Sequence, residues 1–467
     1  MAVIIENSIW EPNPYLFIFI FLSCFLSILL LPYASKNSST RTPSPFDHGF
    51  SSSFSSFQRK FLLLYSLASV MEGLWSVYGE FEYTYRGVSR EQIVLSLCVG
   101  YAASLFVGSF LGVLSDLIGQ KKVCMTFCII HLVTAVWKRI SVHPSLFITS
   151  IGLSLATSIF SFSFEAWMVH HHEKQGQRQD MLSDTFWLMT VFESVSLIGN
   201  QMLVNSLVGD NVKINMFSPS TVAVFLALIC LTFVTKGWTE ASQRIELEDY
   251  RTSFSAYIFS DKRIWLLAWA QASIHFSVAF FWILWAPTLV VLRLKYKLNR
   301  CTSNLADGRE VHLGLIYPCL LGSRILGSSL FPWLMGGTSS IRTEDCLLYC
   351  FVISGLVISI VAFDYQDLGV LVMLFSIFHA CVGLIVPLLA RLRTMYVPNK
   401  LRGGMISLSL APANAAILFF LLQGGYYRRI ENSVILAFAA LGLFTSAGSM
   451  YALKRWGKHP YQAWQKQ

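Results

Sequence analysis

The sequence is poor in charge. Only 13% of its 467 residues are Asp, Glu, Lys or Arg, where a soluble chain carries about a quarter. No G-x-x-x-x-G-K-[ST] run is present, so nucleotide-driven pumping has no phosphate cradle. No HExxH pair stands out, nor a nucleophile with its base and orienting acid, which sets membrane enzyme chemistry aside. The ten cysteines suggest neither a disulfide framework nor a metal site. Six of them, Cys98, Cys124, Cys128, Cys230, Cys319 and Cys381, lie inside apolar stretches. The i, i+4 pairs Cys124/Cys128 and Cys346/Cys350 offer two ligands where structural zinc takes four. No metal or cofactor is expected. There is also no Lys or Arg before Lys36, so the first apolar stretch lacks the basic region that opens a signal peptide.

What is present is hydrophobic, 54% of the chain, and it is gathered into segments of the length a bilayer requires, about 20 residues each. Thirteen such segments are readable. A leading one covers 15–33. Twelve more cover 60–80, 93–117, 122–140, 145–169, 182–207, 219–236, 263–292, 311–335, 345–363, 368–391, 403–423 and 433–453. The expected class is an all-α membrane protein of twelve core helices in two six-helix halves, plus one extra N-terminal transmembrane helix.

Charge then orients the chain. Lys36 and Arg41 follow the leading segment, which puts the N-terminus outside and a Ser/Pro-rich stretch, 34–60, in the cytosol. The C-terminus falls in the cytosol. The net charge of +9 comes from Lys and Arg clusters between apolar segments, so it reports topology rather than a nucleic-acid partner. One outside loop, RLKYKLNRCTSNLADGREVH, breaks the pattern with Arg293, Lys295, Lys297, Arg300 and Arg309 against Asp307 and Glu310. The longest internal polar stretch, 236–263, splits the core six and six, as a repeated transporter fold would. The expected units are 1–58, the six-helix half 59–237, a cytosolic linker 238–262, the six-helix half 263–455 and a tail 456–467. Glu72 lies twelve residues after Lys60, and His275 lies twelve after Arg263. Twelve residues climb about 18 Å of helix, near the bilayer midplane.

Two sets of residues carry a resemblance. The run GVLSDLIGQKK, 112–122, is similar to the G-x-L-a-D-r-x-G-r-k loop of the major facilitator superfamily, with Gly112, Leu114, Asp116, Gly119 and Lys121 in place. Leu117 and Gln120 stand where that loop is usually basic. The runs FSFSFEAWMVHHHEK, 160–174, and SDKRIWLLAWAQASIHFSVAFFWILWAPTL, 260–289, resemble the molybdate-anion transporter family within the superfamily. The chain departs from that family where His275 replaces an acid, and where Ser407 and Leu410 replace the Asn and Arg of an N-x-x-R-x-P pattern.

The resemblance implies that core segments 1, 4, 7 and 10 line a central cavity, with 2, 5, 8 and 11 beside them. Ionisable residues inside a membrane are expensive and tend to mark pathways. Glu72, Glu193, His275, Arg324 and His379 fall on those segments and are the candidate substrate or ion pathway. His131, on the third segment, ranks lower. Gly112, Asp116, Gly119 and Lys121 are the candidate conformational motif, and Glu165 and Arg391 the candidate cytosolic gate. His170, His171, His172 and Glu173 are read as a solvated cluster after a helix end.

The resulting expectation is a monomeric secondary transporter, in the plasma membrane, of molybdate or a related oxyanion. A coupling proton and membrane lipid are its further expected partners. Two other readings stand beside it: a proton-coupled carrier of a different solute, and a non-transporting receptor or scaffold on the same fold. The topology makes one prediction. Asn37-Ser38-Ser39 is a glycosylation sequon on the cytosolic side, so glycosidase treatment of the protein from a secretory host should leave its mobility on a gel unchanged. A shift that Asn37→Gln removes would reverse the assigned orientation.

Overall fold

The computed structural model describes residues 12–38, 47–85, 87–140, 145–174, 179–208, 219–237, 246–299, 313–336, 341–363 and 367–456. Among these, regular structure is helical throughout, with no strand. That is what the composition requires, because a backbone surrounded by lipid must satisfy its own hydrogen bonds. The helices are α1 (Pro14–Ser38), α2 (Asp47–Tyr85), α3 (Arg90–Ile118), α4 (Gln120–Ile140), α5 (Leu146–Lys174), α6 (Gln179–Val208) and α7 (Pro219–Gly237). After a short helix α8 (Leu247–Phe254) come α9 (Lys262–Asn299), α10 (Leu313–Gly336), α11 (Thr343–Ala362), α12 (Leu368–Tyr396), α13 (Asn399–Tyr426) and α14 (Asn432–Trp456). Among the described residues, eleven helices are long and apolar enough to cross a membrane; α1 and α2 are not in that set, and the side chains along part of each lie outside the described residues.

Packing repeats along the chain. In the first half α2 packs on α6 and α7, α3 on α5, and α4 on α5 and α7. In the second half α9 packs on α13 and α14, α10 on α12, and α11 on α12 and α14. Each pair in one set has its counterpart in the other. Large apolar side chains such as Phe106, Phe110, Val133 and Tyr349 face outward, where lipid rather than water covers them. Glycine sets the closest approaches. A Cβ on Gly327 would lie 1.9 Å from the Ala380 carbonyl oxygen, and one on Gly383 would lie 2.1 Å from that of Arg324. Thus α10 and α12 meet backbone to backbone, the geometry that small residues permit between membrane helices.

The extra leading helix is docked rather than loose. Cys24 Sγ donates to the Gly322 carbonyl at 3.4 Å, and Ser27 Oγ to that of Ser329 at 3.3 Å. In return, Trp333 Nε1 donates to the Ser27 carbonyl at 3.4 Å. α1 therefore lies along α10.

Three sequence expectations change. The polar stretch 236–263 contains α8, which buries Tyr250 and Phe254, so it is not merely a solvated linker. The His170–His172 cluster does not follow a helix end: α5 runs on to Lys174, His172 is buried, and the His171 ring stacks on Phe57 with centroids 3.6 Å apart. Finally, α9 extends to Asn299, so the loop after it begins later than expected. Arg300, Asp307, Arg309 and Glu310 lie outside the described residues, as do the side chains of Asn37, Arg293, Lys295 and Lys297.

A prediction follows from the α10–α12 contact. Gly327→Ala forces a methyl against a backbone carbonyl and should destabilise the bundle by about 1–3 kcal/mol, the usual overpacking cost. Gly199→Ala, with nothing within 4 Å of its added carbon, should be neutral. Thermal unfolding of the two purified variants checks this; equal melting temperatures would refute the close approach.

Candidate functional site

The first cluster joins the two halves. Arg324 on α10 donates through Nη2 to Glu193 Oε1 on α6 at 3.1 Å. The other carboxylate oxygen, Oε2, accepts from the Tyr65 hydroxyl on α2 at 3.0 Å. The Arg324 and Glu193 side chains retain 11% and 21% of their exposure, so both reach open space rather than sealed core. Arg324 Nε is buried without a hydrogen-bond partner. The guanidinium is therefore held by one acid and keeps unused donor capacity.

The second cluster lies within the first half. Glu72 on α2 meets His131 Nε2 on α4 at 3.0 Å and the Thr157 hydroxyl on α5. His131 is fully buried while the Glu72 side chain keeps 21% exposure. His131, ranked low on sequence, is thus brought directly to a pathway acid. Its signal was the high cost of any imidazole inside a span, which a peripheral position does not remove.

The two other histidines sit in the second half. His275 Nε2 on α9 is 3.2 Å from Asn414 Oδ1 on α13. Asn414 lies two residues past Pro412, so an amide faces this region although Ser407 and Leu410 replaced the expected Asn and Arg. His379 on α12 is 1% exposed, with neither ring nitrogen bonded. Phe281 and Trp282 enclose it, at centroid distances of 4.5 and 4.9 Å.

The third cluster fastens the halves at the end that the charge pattern assigns to the cytosol. Asp116 accepts the backbone N–H groups of Gly403 at 3.2 Å and Gly404 at 2.8 Å. Both belong to the first turn of the Arg402–Ser409 part of α13, and a helix N-terminus binds carboxylate in this way. Only glycine fits: a Cβ on Gly112 would lie 2.0 Å from the Gly403 carbonyl oxygen. Gly119 ends α3 at φ 103°, a left-handed value glycine adopts without strain. Lys121 Nζ caps α7 by donating to the Thr235 carbonyl at 3.1 Å. The Tyr250 hydroxyl of α8 donates to Asp116 Oδ2 at 3.1 Å. Burial, and then the adjoining Asp116 carboxylate, push the Tyr250 phenol far above its ordinary range, so it stays a donor at physiological pH.

Glu165 is bound at this end too, though not by the expected partner. Arg393 holds it through Nε at 2.8 Å and through Nη2, and Arg402 Nη1 adds a contact at 3.2 Å. Arg391 makes no ion pair among the described residues. Two residues turn a helix through about 200°, so Arg391 and Arg393 point to opposite sides and only Arg393 faces α5. Arg402 is fully buried and also donates to the Arg393 carbonyl and to Asn399. Among the described residues no group of three or more His, Cys, Asp or Glu could hold a metal ion.

This is a membrane bundle with polar groups on its midline and two halves fastened at one end, and the comparisons agree with it. The model of a family described as sugar transporters, 12 TM (MFS_5), matches residues 15–370. The chain belongs to this family of the major facilitator superfamily. Among curated relatives of this major facilitator chain, a molybdate-anion transporter of Takifugu rubripes is 24% identical over 316 residues. That match covers 62% of this chain and 62% of the relative, less than two thirds of its length. The Xenopus tropicalis protein of the same name is 22% identical over 374 residues, 77% of each chain. Among solved structures, a bacterial homologue of the iron transporter ferroportin aligns with TM-score 0.59 at 13% identity, covering 86% of this chain and 99% of that one. The human organic anion transporter MFSD10 aligns with TM-score 0.55 at 12% identity, covering 84% and 99%. These structures share the fold. The chain is an integral multi-pass membrane protein of the major facilitator superfamily.

The fastened end gives a prediction. Tyr250→Phe removes one bond to Asp116, and Asp116→Asn weakens all three. Both should shift the transporter toward states open at that end while leaving substrate affinity within about threefold, since neither touches the midline groups. Cysteine accessibility at that end, together with equilibrium binding, checks this; a collapse of affinity with unchanged accessibility would refute it.

Proposed function

We propose that this chain is a secondary active transporter of a small oxyanion, with molybdate the leading substrate, and that it works by alternating access. The observation that carries the reading is the Arg324–Glu193 pair. A guanidinium is suited to oxyanions because its donors form a planar fork, and here it takes the place of the arginine lost at Leu410. Its resting partner sits on the opposite half. A substrate anion that displaces Glu193 would exchange one charge partner for another and loosen the tie between the halves at once. The names of the molybdate-anion transporter relatives favour the same solute class.

In this reading Glu72, His275 and His379 belong to the pathway beside Arg324. Glu165 works as the gate residue, with Arg393 and Arg402 in the role first expected of Arg391. The plasma membrane, an outside N-terminus and the halves 59–237 and 263–455 are part of the same proposal. A second reading, proton-coupled transport of another solute, is favoured by Leu410, a buried aliphatic side chain where the resembling family has its arginine.

Uptake into proteoliposomes decides between them. Labelled molybdate should enter and be competed by sulfate, and Arg324→Lys should weaken apparent affinity by about tenfold, the loss of one good charged contact. Arg324→Ala should abolish uptake. Unaltered uptake in the double variant Arg324→Leu with Glu193→Gln would reduce Arg324 to a structural tie and refute the reading.

A further inference from the structure

Two buried side chains of the second half hold hydrogen-bonding capacity that the fold does not use. His379 is 1% exposed, and neither ring nitrogen has a hydrogen-bond partner among the described residues. A neutral imidazole carries one donor and one acceptor, so both are unsatisfied, and a buried donor left unmade is costly. Arg324 Nε is a second buried donor in the same condition. The two side chains sit on helices that touch at this level. A Cβ on Gly383, one turn beyond His379 on α12, would lie 2.1 Å from the Arg324 carbonyl oxygen.

The surroundings of His379 are aromatic. Its ring lies against Phe281 and Trp282 of α9. Trp282 continues the group to Tyr317 of α10, with centroids 5.3 Å apart, and to Trp285 at 6.0 Å. Tyr317 precedes Arg324 by seven residues on α10. Seven residues make almost two full turns and climb about 10 Å, so the phenol ring and the guanidinium share one helix face.

This aromatic group lies on the side of Arg324 away from the fastened end. Gln271, early in α9, accepts from Arg393 of the Glu165 cluster. Trp282 is eleven residues further along α9, a rise of about 16 Å. Gly314, three residues before Tyr317, accepts from Gln201 late in α6.

A bare tetrahedral oxyanion would use the guanidinium and leave this wall idle. Indole and phenol rings attract another flat ring, through burial and through edge-to-face or offset contact. Packed core would also gather such rings, but polar groups in packed core are hydrogen-bonded, and His379 is not. Its donor and its acceptor both suit a hydroxyl, which offers the complement of each.

We propose that the Arg324 anion site continues into an aromatic subsite formed by Trp282, Tyr317 and His379, and that the solute selected is an aromatic oxyanion, a flat hydroxylated ring bearing a carboxylate. The inference rests on the oxyanion reading above and names the molecule that carries the acid group. The carboxylate takes the spare donors of Arg324, the ring lies against Trp282 and Tyr317, and the hydroxyl meets His379.

The test is binding to the purified full-length chain, read as the ligand-induced rise in melting temperature. The probes are acetate, benzoate, cyclohexanecarboxylate and the three hydroxybenzoates. In wild type, benzoate should bind about tenfold more tightly than acetate and about threefold more tightly than cyclohexanecarboxylate, which has the ring without the π face. One hydroxybenzoate should exceed benzoate by about fivefold, the worth of one hydrogen bond. Trp282→Ala should bring the ratio of benzoate to cyclohexanecarboxylate near one. His379→Phe should cancel the hydroxyl gain, and Arg324→Ala should abolish binding of every probe. A saturated ring that binds as tightly as benzoate overturns the subsite, as do ratios that Trp282→Ala and His379→Phe leave unchanged. The wild-type ratios decide the matter if a variant fails to fold.

Molybdate uptake by proteoliposomes separates this inference from the reading beneath it. Uptake without any preference for benzoate over acetate overturns the aromatic subsite and keeps the oxyanion reading. Benzoate binding that depends on Arg324, without molybdate uptake, overturns molybdate as the solute and keeps the subsite. Absence of both overturns both.

Discussion

The constraint on which this bundle depends is that no charge inside it is left alone. An ionised group at the middle of a membrane costs several kcal/mol unless it is paired or hydrated. Each deep acid here has a different answer. Glu165 lies between two arginines and is nearly sealed. Glu193 shares one arginine across the two halves and keeps a phenol as its second partner. Glu72 has only an imidazole and a hydroxyl. The partners grade from two fixed charges to none.

Backbone packing sets where those charges meet. Gly112 lets α3 lie against the Gly403 backbone, which brings Asp116 to two free N–H groups at a helix start. A carboxylate bound by backbone amides needs no arginine, so the loop can dispense with the basic residues that Leu117 and Gln120 replaced. The linker helix α8 contributes the third donor through Tyr250. The segment joining the two halves therefore touches the same acid that fastens them.

Much of this was legible in the sequence. Segment lengths and hydropathy gave the spans to within a few residues at most ends, because burial in lipid acts on each helix separately. The acids, Arg324 and the histidines could be found because ionisable residues are rare in such segments. What could not be read was rotation about each helix axis and contact between helices. Arg391 and Arg393 share an end of α12, and only the azimuth of α12 against α5 selects Arg393. His131 was set aside for lying on a peripheral segment, yet its ring reaches from α4 directly to Glu72 on α2. Tyr250 sits in a stretch whose average polarity hid one buried face.

The four clusters also differ in what a relative movement of the halves would do to them. The Glu165 and Asp116 clusters span the halves at one end, and rocking that opens this end must break both. The Arg324–Glu193 pair spans them as well, so it too must lengthen, or be bridged by a ligand that satisfies the guanidinium. The Glu72 cluster is carried entirely on α2, α4 and α5, and rigid-body rocking leaves its bonds intact. Relative movement of the halves is therefore registered by the ties between them, while the Glu72 cluster travels as one unit with its own half.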